Sequence, residues 1–255
     1  NMVAKRYGVQ TAETVWQARK KCPDLILLPP HHDEYDAMSR RVNAIYCSVT
    51  DQVEPFSVDE SWLDVTGSQR LFGDGETIAN DLRRRVREEL GITISVGVSD
   101  NRWWAKLGSD YKKPDATTVI TRENVADLLY PLPIQDMLFV GHAAAEVLRR
   151  HGITTIGMLA AAPRESLVRW LGKQGESLHA MANGLEDSPI RRWGEGEAVK
   201  SVGNGMTFPH DLVGEEAWKA GLMPLCDSVG SRLRAQHLKC RTVTVQIKDP
   251  QLKVI

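Results

Sequence analysis

Apolar positions recur along this chain at two spacings, one near 3.6 residues and one near two, and the spacings divide it into helices, short strands and turns. Over residues 33–49, Tyr35, Met38, Val42, Ile45 and Tyr46 fall on one helical face, which predicts a core helix. A second helix is predicted over residues 76–90; its row of Arg83, Arg84, Arg85 and Arg87 is explained as well by a solvated face as by contact with a polyanion. Near the start, Thr11 is expected to cap a helix with Val15 and Ala18 on its apolar side, ended by Cys22-Pro23. Residues 25–28 read as a buried parallel strand stopped by Pro29-Pro30. Residues 92–99 read as a β-branched strand that hands over to a helix ending at Pro114, and residues 117–120 supply one more strand. Beyond Thr121 the pattern turns helical, through residues 143–150, 164–172 and 175–183. The Pro- and Gly-bearing stretch 187–199 reads as a tether, followed by an amphipathic helix over 215–236 and an alternating strand over 242–247.

Composition narrows the class. With 255 residues and 42% hydrophobic side chains the chain can bury sizeable cores, and this length usually divides into more than one domain. No apolar run approaches the roughly 18 residues of a membrane span and no basic-then-apolar leader opens the chain, so a cytoplasmic protein without a membrane partner is expected. Cys22, Cys47, Cys226 and Cys240 lie far apart, which suits reduced, packed thiols better than a zinc site. The formal net charge of −1 requires any affinity for a polyanion to come from local basic faces.

Two stretches carry candidate chemistry. Residues 53–67 set Asp59 and Glu60 between two apolar strand-like runs, beside Ser57 and Ser61. Successive strand side chains alternate faces, so the two carboxylates can serve one site only where the strand bends or turns. A hard cation such as Mg²⁺ takes one or two carboxylates together with waters and substrate phosphates, which suits so sparse a set; an acidic hairpin turn without a ligand suits the stretch equally well. In the second stretch Lys106 and Asp110 share a helix face, and Lys113 sits at the helix end, free to snorkel or to neutralise a phosphate.

Read together, the two stretches resemble motifs of one family. Residues 57–66 resemble the S-x-D-E-x-x-x-D-V-T signature of the Y-family translesion DNA polymerases, and residues 95–114 resemble the family's S-x-G-V-S-x-N-(K/R)-x-x-A-K-x-x-S-D-x-x-K-P block, in the bacterial DNA polymerase IV branch. Residues 1–9 are similar to the fingers segment N-Y-x-A-(R/K)-x-(F/Y)-G-V, and Lys200-Ser201-Val202-Gly203 to the K-S-(I/V)-G that opens the little-finger domain. The resemblance implies an α+β, right-hand polymerase: partial fingers over 1–31, a palm over 32–121, a small all-helical thumb with a helix-hairpin-helix over 122–187, a linker over 188–199 and part of an α/β little finger over 200–255. It implies Asp59 and Glu60 as catalytic metal ligands, Lys5 and Lys113 as partners of the incoming triphosphate, and Gly141, Lys200, Ser201 and Arg241 as DNA contacts. The implied cofactor is Mg²⁺, two ions with substrate; the implied partners are primer-template DNA and a dNTP, with a sliding clamp as a candidate third.

The chain also departs from the family pattern. Met2 stands where many relatives carry a tyrosine, and Phe139 replaces the first glycine of the usual G-x-G before Gly141, where a plain helical hairpin remains an equal reading. Family members begin with a strand that carries a further metal-binding aspartate and an aromatic steric gate; this chain is expected to start downstream of both and to stop within the last domain. The 255 residues alone are therefore expected not to extend a primer, unless another carboxylate such as Asp64 completes the cage. In the tail, eight basic residues from Lys200 to Lys253 face five acids, a modest excess that fits phosphate tracking and a solvated surface alike. A non-catalytic paralogue that binds DNA or a partner polymerase is the main alternative, and a palm-type nucleotidyl cyclase the other.

Overall fold

The computed structural model describes all of the chain except residues 187, 197, 252 and 255. Glu197 of the expected linker, Asp187 at the expected thumb boundary and Ile255 thus lie outside the described residues. The rest forms two units, Asn1–Glu195 and Gly196–Ile255.

The first unit opens with α1 (Met2–Arg6) and α2 (Val15–Lys21). Thr14, not Thr11, caps α2: it forms a reciprocal box with Gln17, which satisfies two amide donors at once. Thr11 is followed by Ala12 at φ 65°, outside the helical range. Residues 25–28 form no strand. Ile26 and Leu28 are 82% and 83% exposed, no neighbouring edge among the described residues offers a ladder, and prolines at 23, 29 and 30 punctuate the run.

The expected core helix is α3 (His32–Cys47), with Asn43 and Ile45 buried and Tyr35 exposed. It leads to an antiparallel pair, β1 (Val53–Pro55) and β2 (Ser61–Leu63), in which Val53 faces Leu63, Glu54 faces Trp62 and Pro55 faces Ser61. A 3-10 turn at Thr66–Ser68 and the short α4 (Gln69–Phe72) precede α5 (Gly75–Leu90), which Asp74 caps at its start and Gly91, at φ 71°, ends. Ile78, Leu82 and Val86 of α5 pack on Ile45 and Val49 to make the smaller of two cores.

A βαβ unit follows: β3 (Val96–Val98), α6 (Arg102–Tyr111) and β4 (Thr117–Val119), the strands parallel with Gly97 beside Thr118. The strand expected over 92–99 shortens to three residues, matching the three pairs β4 offers, and Ile92 is left exposed. Gly97 is where α6 lies on its strand: a Cβ there would sit 1.7 Å from the Ala105 carbonyl oxygen. The opposite side of α6 carries Trp104 and Leu107 into the larger core, shared with α7 (Val125–Leu128), α8 (His142–Arg150), α9 (Ile156–Ala161), α10 (Arg164–Leu171) and α11 (Lys173–Ala182). Leu129, Ile134, Leu148, Leu159 and Leu167 are fully buried there. One helix thus joins the strands to the helical layer.

In the second unit the expected amphipathic helix is α12 (Glu215–Ala235), with Pro224 inside it and Trp218 Nε1 donating to the Leu212 carbonyl at 2.7 Å. None of its described residues is buried. The strand expected over 242–247 is irregular chain, with Val243, Val245 and Ile247 exposed; alternation alone makes no strand where, among the described residues, no partner edge stands beside it. Cys22 and Cys47 are half-buried, as packed thiols require, but Cys226 and Cys240 are exposed.

Candidate active site

The turn between β1 and β2 is closed by its own backbone: the Phe56 and Ser57 N–H groups both donate to the Glu60 carbonyl, at 2.8 and 3.2 Å. Five residues in a tight reversal free Asp59 and Glu60 from strand alternation, so both carboxylates line one cleft of about 1090 Å³. Ser57 fixes the first of them. Its hydroxyl donates to Asp59 Oδ1 at 2.7 Å.

Glu60 is held from across the cleft. Its Oε1 lies 3.0 Å from Lys106 Nζ, the side chain that α6 turns toward the hairpin. Lys106 also donates to Asp110 one turn on, and Asp110 Oδ1 in turn lies 2.6 Å from Lys113 Nζ. The four groups alternate in sign, and three of them, Glu60, Lys106 and Lys113, line the cleft. Burial is the largest single influence on Lys106 and favours its neutral form, yet hydrogen bonds to Asp110 and Glu60 outweigh it and hold the ammonium pKa above the ordinary value. Asp110 likewise loses to burial and gains more from Lys106 and Lys113, so its pKa sits below the ordinary value.

Lys5 from α1 and Lys113 from the end of α6 line the same cleft as the carboxylates, and so do Met2, Ser61 and Asp64. Four sequence-predicted residues, Lys5, Asp59, Glu60 and Lys113, are thereby brought together. Asp64 Oδ1 accepts from the Thr66 N–H at 2.9 Å, and a strand's rise puts the residue roughly 13 Å along the backbone from Glu60. Gly141 stands at the start of α8, with nothing within 4 Å of the position a Cβ would take. Phe139, two residues earlier, adopts φ 67°, a conformation that glycine takes without strain. Lys200, Ser201 and Arg241 lie exposed in irregular parts of the second unit.

Two features of the site were beyond local sequence patterns. The Lys106–Glu60 pair joins residues far apart in the chain; the i, i+4 spacing of Lys106 and Asp110 and the motif block they resemble marked that lysine, but not its partner on the hairpin. Arg83 and Arg87 of α5 both pair with Asp115, at 2.9 Å each, and so fasten the loop that follows Lys113. As for a cation, hard carboxylate oxygens on one turn suit Mg²⁺ in kind, while among the described residues no cluster of three His, Cys, Asp or Glu side chains completes a cage. Carboxylates and lysines in one cleft can hold a hard cation beside a polyanion such as a triphosphate.

The fold is a mixed helix-and-sheet one with carboxylates and lysines in a single cleft, and comparison with known proteins gives the family. A sequence model described as impB/mucB/samB family matches residues 1–110, and that family's C-terminal-domain model matches residues 199–254. The chain is 46% identical over 255 residues to a DNA polymerase IV of Acetivibrio thermocellus, with all of this chain and 64% of that protein covered. It is 39% identical over 255 residues to DNA polymerase IV 1 of Bacillus subtilis, covering 99% of this chain and 60% of the relative. Among solved structures, DinB from Sulfolobus solfataricus is 27% identical with a TM-score of 0.66, covering 75% of this chain and 57% of that one. A Y-family DNA polymerase chimera, Dbh-Dpo4(243-245)-Dbh, matches in fold over 100% of this chain and 73% of its own, with a TM-score of 0.79 at 24% identity. The chain belongs to the impB/mucB/samB family, whose two models together match residues 1–110 and 199–254. It spans about three-fifths of the length of the curated relatives it matches.

Proposed function

We propose that the protein containing this chain is a DNA-directed DNA polymerase of the low-fidelity translesion type, which joins a dNTP to a primer 3′-hydroxyl under the direction of a template. The observation that carries this reading is the meeting of Asp59, Glu60, Lys5 and Lys113 in one cleft, in a chain whose relatives are named DNA polymerase IV. Asp59 and Glu60 would hold Mg²⁺, which when bound supplies Lewis-acid stabilisation of the attacking and leaving oxygens. Glu60 would exchange its bond to Lys106 for the cation, and Lys106 would keep its bond to Asp110. Lys5 and Lys113 would neutralise the triphosphate, with Lys113 steadied by the loop that Asp115 anchors.

A further ligand is needed, and the cleft supports its coming from an additional strand: β2 and β3 both line it, and among the described residues they belong to separate two-stranded sheets. We read residues 1–31 as fingers, 32–121 as palm, 122–187 as thumb, 188–199 as linker and 200–255 as part of the little finger. Gly141 would let a DNA phosphate approach the start of α8, and Lys200, Ser201 and Arg241 would follow the backbone of the duplex without reading bases.

The test is Asp59→Ala and Glu60→Ala in the full-length protein. Each variant is expected to abolish primer extension and to keep nearly all of its DNA affinity, since the carboxylates hold metal and not DNA. Extension within about tenfold of the parent at saturating Mg²⁺ would overturn the assignment.

A further inference from the structure

The chain that leaves the helical layer does not run free. Asn101 Nδ2, at the cap of α6, donates to the Glu186 carbonyl at 2.6 Å, and Trp103 Nε1 donates to Glu186 Oε2 at 2.5 Å. Arg102 donates to the Pro189 carbonyl at 3.3 Å, and Gln52 Nε2 to the Ile190 carbonyl at 3.3 Å. The Trp193 N–H ends the series on the Asp51 carbonyl at 3.0 Å. Glu54 of β1 stands at the centre. Its side chain is 9% exposed and accepts from the Arg191 N–H at 2.9 Å, from the Arg191 guanidinium at 3.1 Å and from Arg102 at 3.2 Å.

These bonds fall on the strand that leads to the carboxylate turn. Glu54 faces Trp62 across the β1–β2 pair, and Trp62 is covered by the Arg102 guanidinium 4.6 Å from its ring while its Nε1 donates to the Arg102 carbonyl at 3.2 Å. Arg102 therefore grips both strands of the hairpin and the departing chain. A carboxylate this buried with two guanidiniums is costly to strip of either partner, which favours keeping all three elements together.

We propose that Glu186 and residues 188–193 are a strap that splints the carboxylate hairpin, with Glu54 as its positioning residue, so that the tether toward the second unit starts only beyond Trp193. Movement of the tether is passed through Arg191 and Glu54 to β1, and so to the turn that bears Asp59 and Glu60. The strap is inferred from the hairpin's bonding and from no activity, so it stands or falls apart from the polymerase reading.

Hydrogen exchange resolved by segment, on the 255-residue chain, tests it. In the parent protein the Arg191 and Trp193 amides should exchange at least about tenfold more slowly than free chain. Arg191→Ala, which leaves the Glu54–Arg102 pair in place, should speed exchange about tenfold or more in the strap and also in the β1–β2 hairpin, with α8 to α11 unchanged. Arg191→Lys should restore most of the protection, and Glu54→Gln should reproduce the loosening of both segments. The proposal is overturned by strap amides that exchange like free chain in the parent. It is equally overturned if Arg191→Ala loosens the strap and leaves the hairpin as it was, or if every segment loosens alike with a lowered thermal midpoint.

Discussion

The helical layer and the sheet region of the first unit share α6 but are packed differently. On the helical side Leu129, Ile134, Leu148, Leu159 and Leu167 are fully buried, and the layer closes around them. On the sheet side the smaller cluster of Ile45, Val49, Ile78, Leu82 and Val86 lies under an open cleft, whose walls include Val42, Tyr46, Ile94 and Val98 with only partial cover. Burial pushes the Tyr46 hydroxyl up to about 12, so even this wall is dry enough to disfavour charge. The difference teaches where the chemistry can sit. A closed core admits no ligand, whereas the sheet side pairs an apolar floor with a rim of Asp59, Glu60, Lys5, Lys106 and Lys113.

The largest effect is expected at the joint between the two regions. Gly97→Val would drive a side chain into the Ala105 backbone, which cannot yield as a side chain tip can, and should abolish cooperative unfolding followed by circular dichroism. A normal transition in that variant would show that α6 does not lie directly on β3 at Gly97. Next, Leu148→Ala in the closed layer should cost about 2–5 kcal/mol, against less than about 1.5 kcal/mol for Val42→Ala on the cleft wall, read from urea midpoints. Equal losses would break the comparison.

The contrast also explains what could be read from the sequence. That Asp59 and Glu60 could share a turn was legible because two apolar runs bracket them, while their role as metal ligands came only from the motif they resemble; the Lys106–Asp110 pair was legible because helical spacing is a local property. Both misread strands, 25–28 and 242–247, have the apolar content of strands; what they lack is a partner edge, a property of the fold and not of the run. The same dependence on the fold hid Glu54 and Arg191, whose meeting is decided by where the chain returns after the whole helical layer.

Smaller effects sharpen the picture of the rim. In the full-length protein Lys113→Ala should weaken dNTP use by on the order of tenfold, in KM or kcat, and Lys112→Ala much less. Equal, slight effects would return both lysines to the solvated surface. The smallest expected effect is one of pH. Burial alone would raise the Glu54 pKa, but the bonds from the Arg191 backbone, Arg102 and the Arg191 side chain hold it below its ordinary 4.5. Its contribution to stability is thus complete above that ordinary value and drains as pH falls through the lower folded value. Exchange protection of Arg191 and Trp193, corrected for the intrinsic rate, should fade below about pH 4.5 while α8 to α11 hold; protection that grows with acid would reverse the expected sign.

The arginine row of α5 has a consequence for salt. Arg84 is held by Asp81 at 2.5 Å and Glu88 at 2.6 Å, Arg85 by Glu89 at 2.9 Å, and Arg83 and Arg87 share Asp115. A guanidinium already neutralised by a carboxylate releases no condensed cation when it nears a nucleic acid, so these four charges add little to the ionic-strength dependence of binding. That dependence falls instead to basic groups elsewhere in the protein, and α5, whose four arginines are matched by Glu76, Asp81, Glu88 and Glu89 on the same helix, behaves toward a polyanion as an almost neutral wall.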